Sequence, residues 1–394
     1  MPAADLDAEP TAGVDLAKRS GSQRVSARDR AYRRYRCGVS LRDEILEQPD
    51  AAHRQLRSSA DAIQGLADRL RERPVASVVI AARGTSDHAA IYAQYVLGVR
   101  NRLSVGLATP SVVSLYGAEP DVRESLVIGI GQSGASPDIV GVVEAGRHQG
   151  AVTLAITNEP SSQLAEASDF VIELAAGPEL AVAATKTYTT SLLAIARLSV
   201  ALGGSGAGDD AGSGARSGDA AAELESVPDF IARALTAEHE VAAIARELAW
   251  TDRSIVVGRG FEYATAREWA LKLKELAQVF ADPYSAADFL HGPIALVQPG
   301  IPALVLAPEG AAAEGQVLLL RDLGERRIDT VVVSDVAGTR ALGRWSIVIP
   351  AGVPEWLRPI VSIVSAQLYA YHLTVAKGLD PETPRGLSKV TRTR

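Results

Sequence analysis

The sequence is nearly devoid of cysteine. Its single copy, Cys37, excludes an internal disulfide framework and any multi-cysteine metal site. Long apolar runs are also absent: none reaches ~18 residues, so no membrane span is expected. The first residues, MPAADLDAEPTAG, are acidic and lack an apolar core segment, which does not fit a secretory leader. There is no excess of positive charge. The net charge is -7, so nucleic acid is not expected as the main partner. With no secretory leader or membrane span expected, the cytoplasm is the expected compartment. What remains is the composition of an ordinary globular chain, with 394 residues, 47% hydrophobic and 22% charged. That length can bury two sizeable cores.

Residues 1–38 show neither helical nor strand periodicity. They carry the basic run Arg24, Arg28, Arg30, Arg33, Arg34 and Arg36, interleaved with Tyr32 and Tyr35. The rest of the chain offers no second basic patch, so this segment reads as a disordered tail rather than a nucleic-acid arm. The stretch 203–218, GGSGAGDDAGSGARSG, reads as a flexible linker.

The segments on either side of that linker resemble each other. SVVIAARG (77–84) matches SIVVGRG (254–260), VIGIGQ (127–132) falls opposite ALVLAP (303–308), and VTLAI (152–156) falls opposite IDTVV (328–332). Gly177-Pro178-Glu179 falls opposite Val353-Pro354-Glu355. The offset stays at about 176 residues throughout, which indicates an internal duplication. Within each half, Val- and Ile-rich runs alternate with helical spacing, as at 137–149 and 311–324. This predicts an α/β fold: two tandem doubly wound domains, 39–202 and 219–380, each with a five-stranded parallel sheet, followed by a tail, 381–394.

Ligands of such sheets bind beyond the carboxyl ends of the strands, at helix N-termini. Two hydroxyl-rich loops fall there: Arg83-Gly84-Thr85-Ser86 and Gln132-Ser133-Gly134-Ala135-Ser136. Their glycines permit close backbone approach, and their hydroxyls can donate to a phosphate. Two other readings compete. Ser136 could simply cap the helix beginning at Pro137. Alternatively, Gly131-Gln132-Ser133-Gly134-Ala135 could be a hydrolase elbow, although its last glycine is missing. The partial dinucleotide fingerprint Gly258-Arg259-Gly260 lacks its third glycine, Tyr263 standing there. Two hydroxyl loops in one half favour anion binding.

Taken together, ARGTSDHAA, GQSGASPD, AGPELAVAATKTYTT, EWALKLKELAQV, DFLHGP and PRGLSKVT resemble the double sugar isomerase (SIS) domain proteins, in particular the isomerase half of glutamine–fructose-6-phosphate aminotransferase. The resemblance runs from about Leu41 to Thr393. It implies a phosphosugar substrate, with Thr85, Ser86, Gln132, Ser133 and Ser136 at the phosphate, Val182 and Ala183 as backbone contacts to the sugar, and Ser388 in the closing tail. It further implies that Glu275 shuttles a proton and that Lys272 is a site lysine. By the same resemblance, His291 assists ring opening from a neighbouring subunit of a homodimer, and Lys389 forms a Schiff base. Without it, Glu268, Lys272 and Glu275 would read as a solvated, salt-bridged face of a helix spanning 264–279, with Trp269, Leu273 and Leu276 as its core stripe. His53, His88, His148, His239 and His372 read as structural.

The sequence also departs from the family pattern. Arg83 replaces a cysteine, Gly131 a hydroxyl residue and Ala135 a glutamate. About 40 irregular residues stand where the aminotransferase has its glutaminase domain, so the chain by itself is not expected to hydrolyse glutamine. The pattern looks closer to the stand-alone deaminases and deglycases. The expected activity is interconversion of glucosamine 6-phosphate with fructose 6-phosphate and ammonia. No metal or other cofactor is expected, because a protonated imine is itself an electron sink. The alternatives are the isomerase part of glucosamine-6-phosphate synthesis, a fructosamine-phosphate deglycase and, from another class, a sugar-phosphate-binding regulator without turnover.

Overall fold

The computed structural model describes residues 40–203 and 217–389. The expected N-terminal tail and residues 390–394 of the chain end lie outside the described residues. Helical structure runs to Gly203 and resumes at Ser217, so of the expected linker only 204–216 falls between helices, also outside the described residues.

Each half forms five strands. In the first half these are β1 (Ser77–Ala81), β2 (Ser104–Leu107), β3 (Ser125–Ile130), β4 (Val152–Thr157) and β5 (Phe170–Glu173). In the second half they are β6 (Arg253–Gly258), β7 (Phe280–Ser285), β8 (Ala303–Leu306), β9 (Thr330–Ser334) and β10 (Trp345–Val348). The Val- and Ile-rich runs read from the sequence become β1, β3, β4, β6, β8 and β9, whereas β7, FADPYS, contains neither residue and is visible only in the structure. All neighbouring strands pair in parallel. The sheet orders are β2-β1-β3-β4-β5 and β10-β9-β8-β6-β7. Read from the other edge, the second order is the first one repeated strand for strand, as a duplication requires. Strands β3, β4 and β8 are buried along their whole length, which is why they read as unbroken apolar runs.

The two halves share one core. Trp269 and Tyr369, both buried, meet edge to face at 5.4 Å in the same apolar cluster as Ile80, Ile128, Tyr92 and Tyr188 of the first half. The helix Thr85–Asn101, which follows the first hydroxyl loop, packs against the helix Glu262–Glu275 of the second half. This contact brings residues nearly two hundred positions apart into one site. The second helix ends at Glu275, with Leu276 as its C-cap, four residues short of the expected 279. Leu276 is nevertheless buried with Trp269 and Leu273, as the stripe predicts.

Candidate functional site

Both hydroxyl loops follow the carboxyl ends of adjacent strands, β1 and β3, and open onto one cavity of about 380 Å³. Its walls include Thr85, Ser86, Gln132, Ser133, Ser136, Val182, Lys272, Glu275, Ser388 and Lys389. Ten of the expected site residues therefore converge, from both halves and the chain end. Ala183 is buried beside the cavity and Ala184 lines it instead. His291 is the exception. It is exposed, at the C-cap of the short helix Ala286–Leu290, and is not among the cavity residues.

The second loop is shaped by Gly134, at φ +56°. A Cβ there would run into the Ser162 side chain. With no side chain in the way, the loop lies against the segment after β4, where Asn158 N–H donates to the Gln132 carbonyl at 3.1 Å and Leu164 N–H to the Gly134 carbonyl at 3.0 Å. Ser136 occupies the N-cap position of the helix Pro137–His148, but its side chain makes no capping hydrogen bond. Its hydroxyl is left to the cavity, against the simple-cap reading. No histidine is among the described cavity residues, so Ser133 has no imidazole base there and the hydrolase reading loses its mechanism. If Ser133 is a phosphate donor, Ser133→Ala weakens phosphosugar binding by ~1–3 kcal/mol with little change in kcat, as measured by calorimetry and steady-state kinetics.

The helix face expected from spacing alone to be solvated is buried. Glu268 and Lys272 expose 0% and 1% of their side chains. Lys272 Nζ lies 2.6 Å from Glu275 Oε2, 3.3 Å from Glu268 Oε1 and 3.2 Å from Thr85 Oγ1. Thr85 Oγ1 in turn donates to Glu268 Oε1 at 3.0 Å, and Glu268 Oε2 meets His88 Nδ1 at 2.7 Å. Burial by itself would push the Lys272 ammonium down. The charges of Glu268 and Glu275, with their hydrogen bonds, outweigh it and hold the pKa above the ordinary lysine value. Lys272 is thus a fixed cation that positions Glu275 at the cavity wall. His88, read from sequence as structural, is the far anchor of this network.

A second buried carboxylate escaped the sequence reading. Glu179 Oε2 accepts from Lys389 Nζ at 2.8 Å and from Thr187 Oγ1 at 2.8 Å. Its Oε1 accepts the backbone N–H groups of Thr185 and Thr187 at 2.9 and 3.1 Å. Burial would raise its pKa, but Lys389 and these donors hold it below the usual carboxylate range. The signal was present in Gly177-Pro178-Glu179, but only as a mark of the duplication. The tail containing Lys389 is irregular, as its Pro384 and Gly386 predict, yet it is tied down: Leu41 N–H donates to Glu382 Oε1 at 2.9 Å, and Lys389 reaches Glu179.

Behind Glu179 lies Glu44, fully buried, whose Oε1 accepts the backbone N–H groups of Leu180 and Ala181. Burial, and then the neighbouring Glu179 charge, push its pKa from 4.5 up to about 7. Between those two values the folded state binds more protons than the unfolded one. Stability contributed by Glu44 is therefore full below about pH 4.5 and is lost as pH rises through about 7. Glu44→Gln, neutral at every pH, removes that loss. Urea unfolding at a series of pH values is expected to show the variant gaining on the wild type from pH 4.5 to 7, by up to about 3 kcal/mol, and levelling off above.

The SIS domain model matches residues 73–201 and 247–377. The glutamine–fructose-6-phosphate aminotransferase [isomerizing] of Halobacterium salinarum is 35% identical over 318 residues, covering 80% of this chain and 51% of its own length. The chain thus spans about half the length of that curated relative. Among solved structures, the C-terminal domain of the Francisella tularensis glucosamine-fructose-6-phosphate aminotransferase superposes with a TM-score of 0.79 at 27% identity, covering 87% of this chain and 97% of that one. A provisionally named phosphosugar isomerase from Silicibacter pomeroyi superposes with a TM-score of 0.75 at 31% identity, covering 86% of this chain and 99% of that one. With two matched segments that coincide with the two repeated sheets, the chain belongs to the SIS domain family, as a tandem pair.

Proposed function

We propose that the chain is an amino-sugar phosphate isomerase and deaminase, converting glucosamine 6-phosphate and water to fructose 6-phosphate and ammonia. One observation carries this reading: a carboxylate, Glu275, and a primary amine, Lys389, line the same cavity as the two hydroxyl loops. A phosphate held by Ser86, Ser133 and Ser136 would leave the rest of an open-chain hexose facing those two groups.

In this reading His291, supplied by a neighbouring subunit of a homodimer, assists opening of the ring. The open chain carries an aldehyde at C1 and an ammonium at C2, which supplies the proton that the aldehyde oxygen takes up. Glu275 takes the C2 proton, and the electron pair moves to form the C1–C2 double bond as the aldehyde oxygen gains a proton. Glu275 then returns its proton to C1, leaving a protonated imine at C2. The Lys389 amine adds to C2 and expels ammonia, giving a lysine imine. Water cleaves that imine to the C2 ketone and frees the lysine. Lys272 keeps Glu275 in place through both proton transfers. The backbone beside Val182 and Ala183 and the tail residue Ser388 complete the sugar's surroundings.

A second reading is favoured by the names of the relatives: the same chemistry run toward amino-sugar synthesis, as the isomerase part of an aminotransferase. Incubation with glucosamine 6-phosphate, with ammonia and fructose 6-phosphate measured, tests the first. Incubation of fructose 6-phosphate with ammonium or with glutamine tests the second. Release of ammonia supports deamination. Glutamine-dependent amino-sugar formation by the purified chain replaces it with the synthetic reading. Tight phosphosugar binding with neither reaction leaves a regulator.

A further inference from the structure

We propose that Arg83 is a direct ligand of the substrate's phosphate, so that the cradle of neutral hydroxyls carries one guanidinium at its phosphate end. Arg83 immediately precedes Gly84-Thr85-Ser86 and lines the cavity. Its position is fixed from the other loop: its Nε donates to Asp138 Oδ2 at 2.9 Å, and Asp138 lies in the first turn of the helix that follows Ser133 and Ser136. The pair therefore straddles the two hydroxyl loops, which is where a phosphate shared between them would sit.

The two partners are not equally placed. Asp138 exposes 1% of its side chain and Arg83 exposes 48%. The carboxylate is sealed beneath the cradle, its Oδ1 accepting the Ile139 N–H at 3.0 Å, while the guanidinium stands at the surface of the cavity. An arginine held through Nε keeps its two Nη groups for another acceptor, and their fork matches two phosphate oxygens. Asp138 is also a negative charge under an anion site, and Arg83 screens it there. The two roles, ligand and screen, predict different outcomes when both residues are changed.

This inference rests on the reading of the loops as a phosphate site, and the test separates the two. The probe is glucitol 6-phosphate, an open-chain hexitol phosphate with no carbonyl to react. Its binding to the full chain is measured by calorimetry for the wild type, Arg83→Ala, Arg83→Lys, Asp138→Asn, the Arg83→Ala/Asp138→Asn double variant and Ser133→Ala. Thermal unfolding without the probe confirms that each variant is folded. As a ligand, Arg83 is expected to cost tenfold or more on change to alanine, with Arg83→Lys restoring part of it. The double variant is then expected to bind at least tenfold more weakly than Asp138→Asn alone. A double variant that binds as tightly as Asp138→Asn would make Arg83 a screen only and overturn the proposal. If Ser133→Ala weakens binding while no Arg83 variant does, the hydroxyl cradle stands and Arg83 falls. If the wild type does not bind the probe, both fall. The outcome is independent of the reaction: Arg83-dependent binding in a protein that releases no ammonia sustains the phosphate ligand and removes the deaminase reading.

Discussion

Lys389→Arg is expected to abolish most turnover, a loss of at least a hundredfold in kcat, while leaving the fold and the phosphosugar affinity close to those of the wild type. The imine at C2 needs an amine that can shed its proton, and a guanidinium does not do so in a protein. The pairing with Glu179 survives the change, because arginine keeps the cation that now lies 2.8 Å from that buried carboxylate. Borohydride added during turnover is expected to trap the wild-type chain as a stable adduct at residue 389 and to leave Lys389→Arg unmodified, read by mass spectrometry of the peptide. Deletion of 385–394 is a different experiment. It strands Glu179, which is buried and keeps only Thr187 and two backbone donors. Truncation is therefore expected to lower thermal stability as well as activity, whereas Lys389→Arg lowers activity alone. A Lys389→Arg enzyme that works at the full rate would take the lysine out of the mechanism.

Glu275→Gln is expected to reduce kcat by about 10²–10⁴-fold, the usual contribution of a positioned general base. Glutamine keeps the size of the side chain and can still accept from Lys272, which lies 2.6 Å from Glu275 Oε2. Since Glu275 exposes 23% of its side chain, the fold should tolerate the change, and phosphate binding, carried by the loop hydroxyls rather than by Glu275, should persist. The diagnostic measurement is exchange of the substrate's C2 hydrogen with deuterated solvent. The wild type should exchange it and Glu275→Gln should not. Glu268→Gln offers the contrast. That residue is fully buried, bonded to His88 and Thr85, and does not line the cavity. Its replacement should act through the position of Lys272, lowering stability together with kcat. Exchange at C2 that continues undiminished in Glu275→Gln would assign the proton transfer to another group.

The sequence by itself determined the two sheets and their repetition. Strands buried on both faces, such as Ser125–Ile130 and Val152–Thr157, have to be apolar at every position, and that pattern is visible without coordinates. It also located the two hydroxyl loops, because glycine and hydroxyl residues that follow an apolar run and precede a helical pattern mark the carboxyl end of a strand. The tertiary structure alone decided which half completes which. Nothing in the spacing of Glu268, Lys272 and Glu275 distinguishes a solvated face from a buried network; that was decided when the helix Glu262–Glu275 packed against Thr85–Asn101, removing water from Glu268 and Lys272 and supplying His88 and Thr85 as their partners. Glu179 was equally unreadable, since a carboxylate in a Gly-Pro-Glu turn is ordinarily solvent-facing, and only burial at the start of the helix Lys186–Gly203 gave it backbone donors and Lys389. Periodicity records which positions avoid water. Which charges meet after water has gone depends on contacts between segments far apart in the chain, and those belong to the fold.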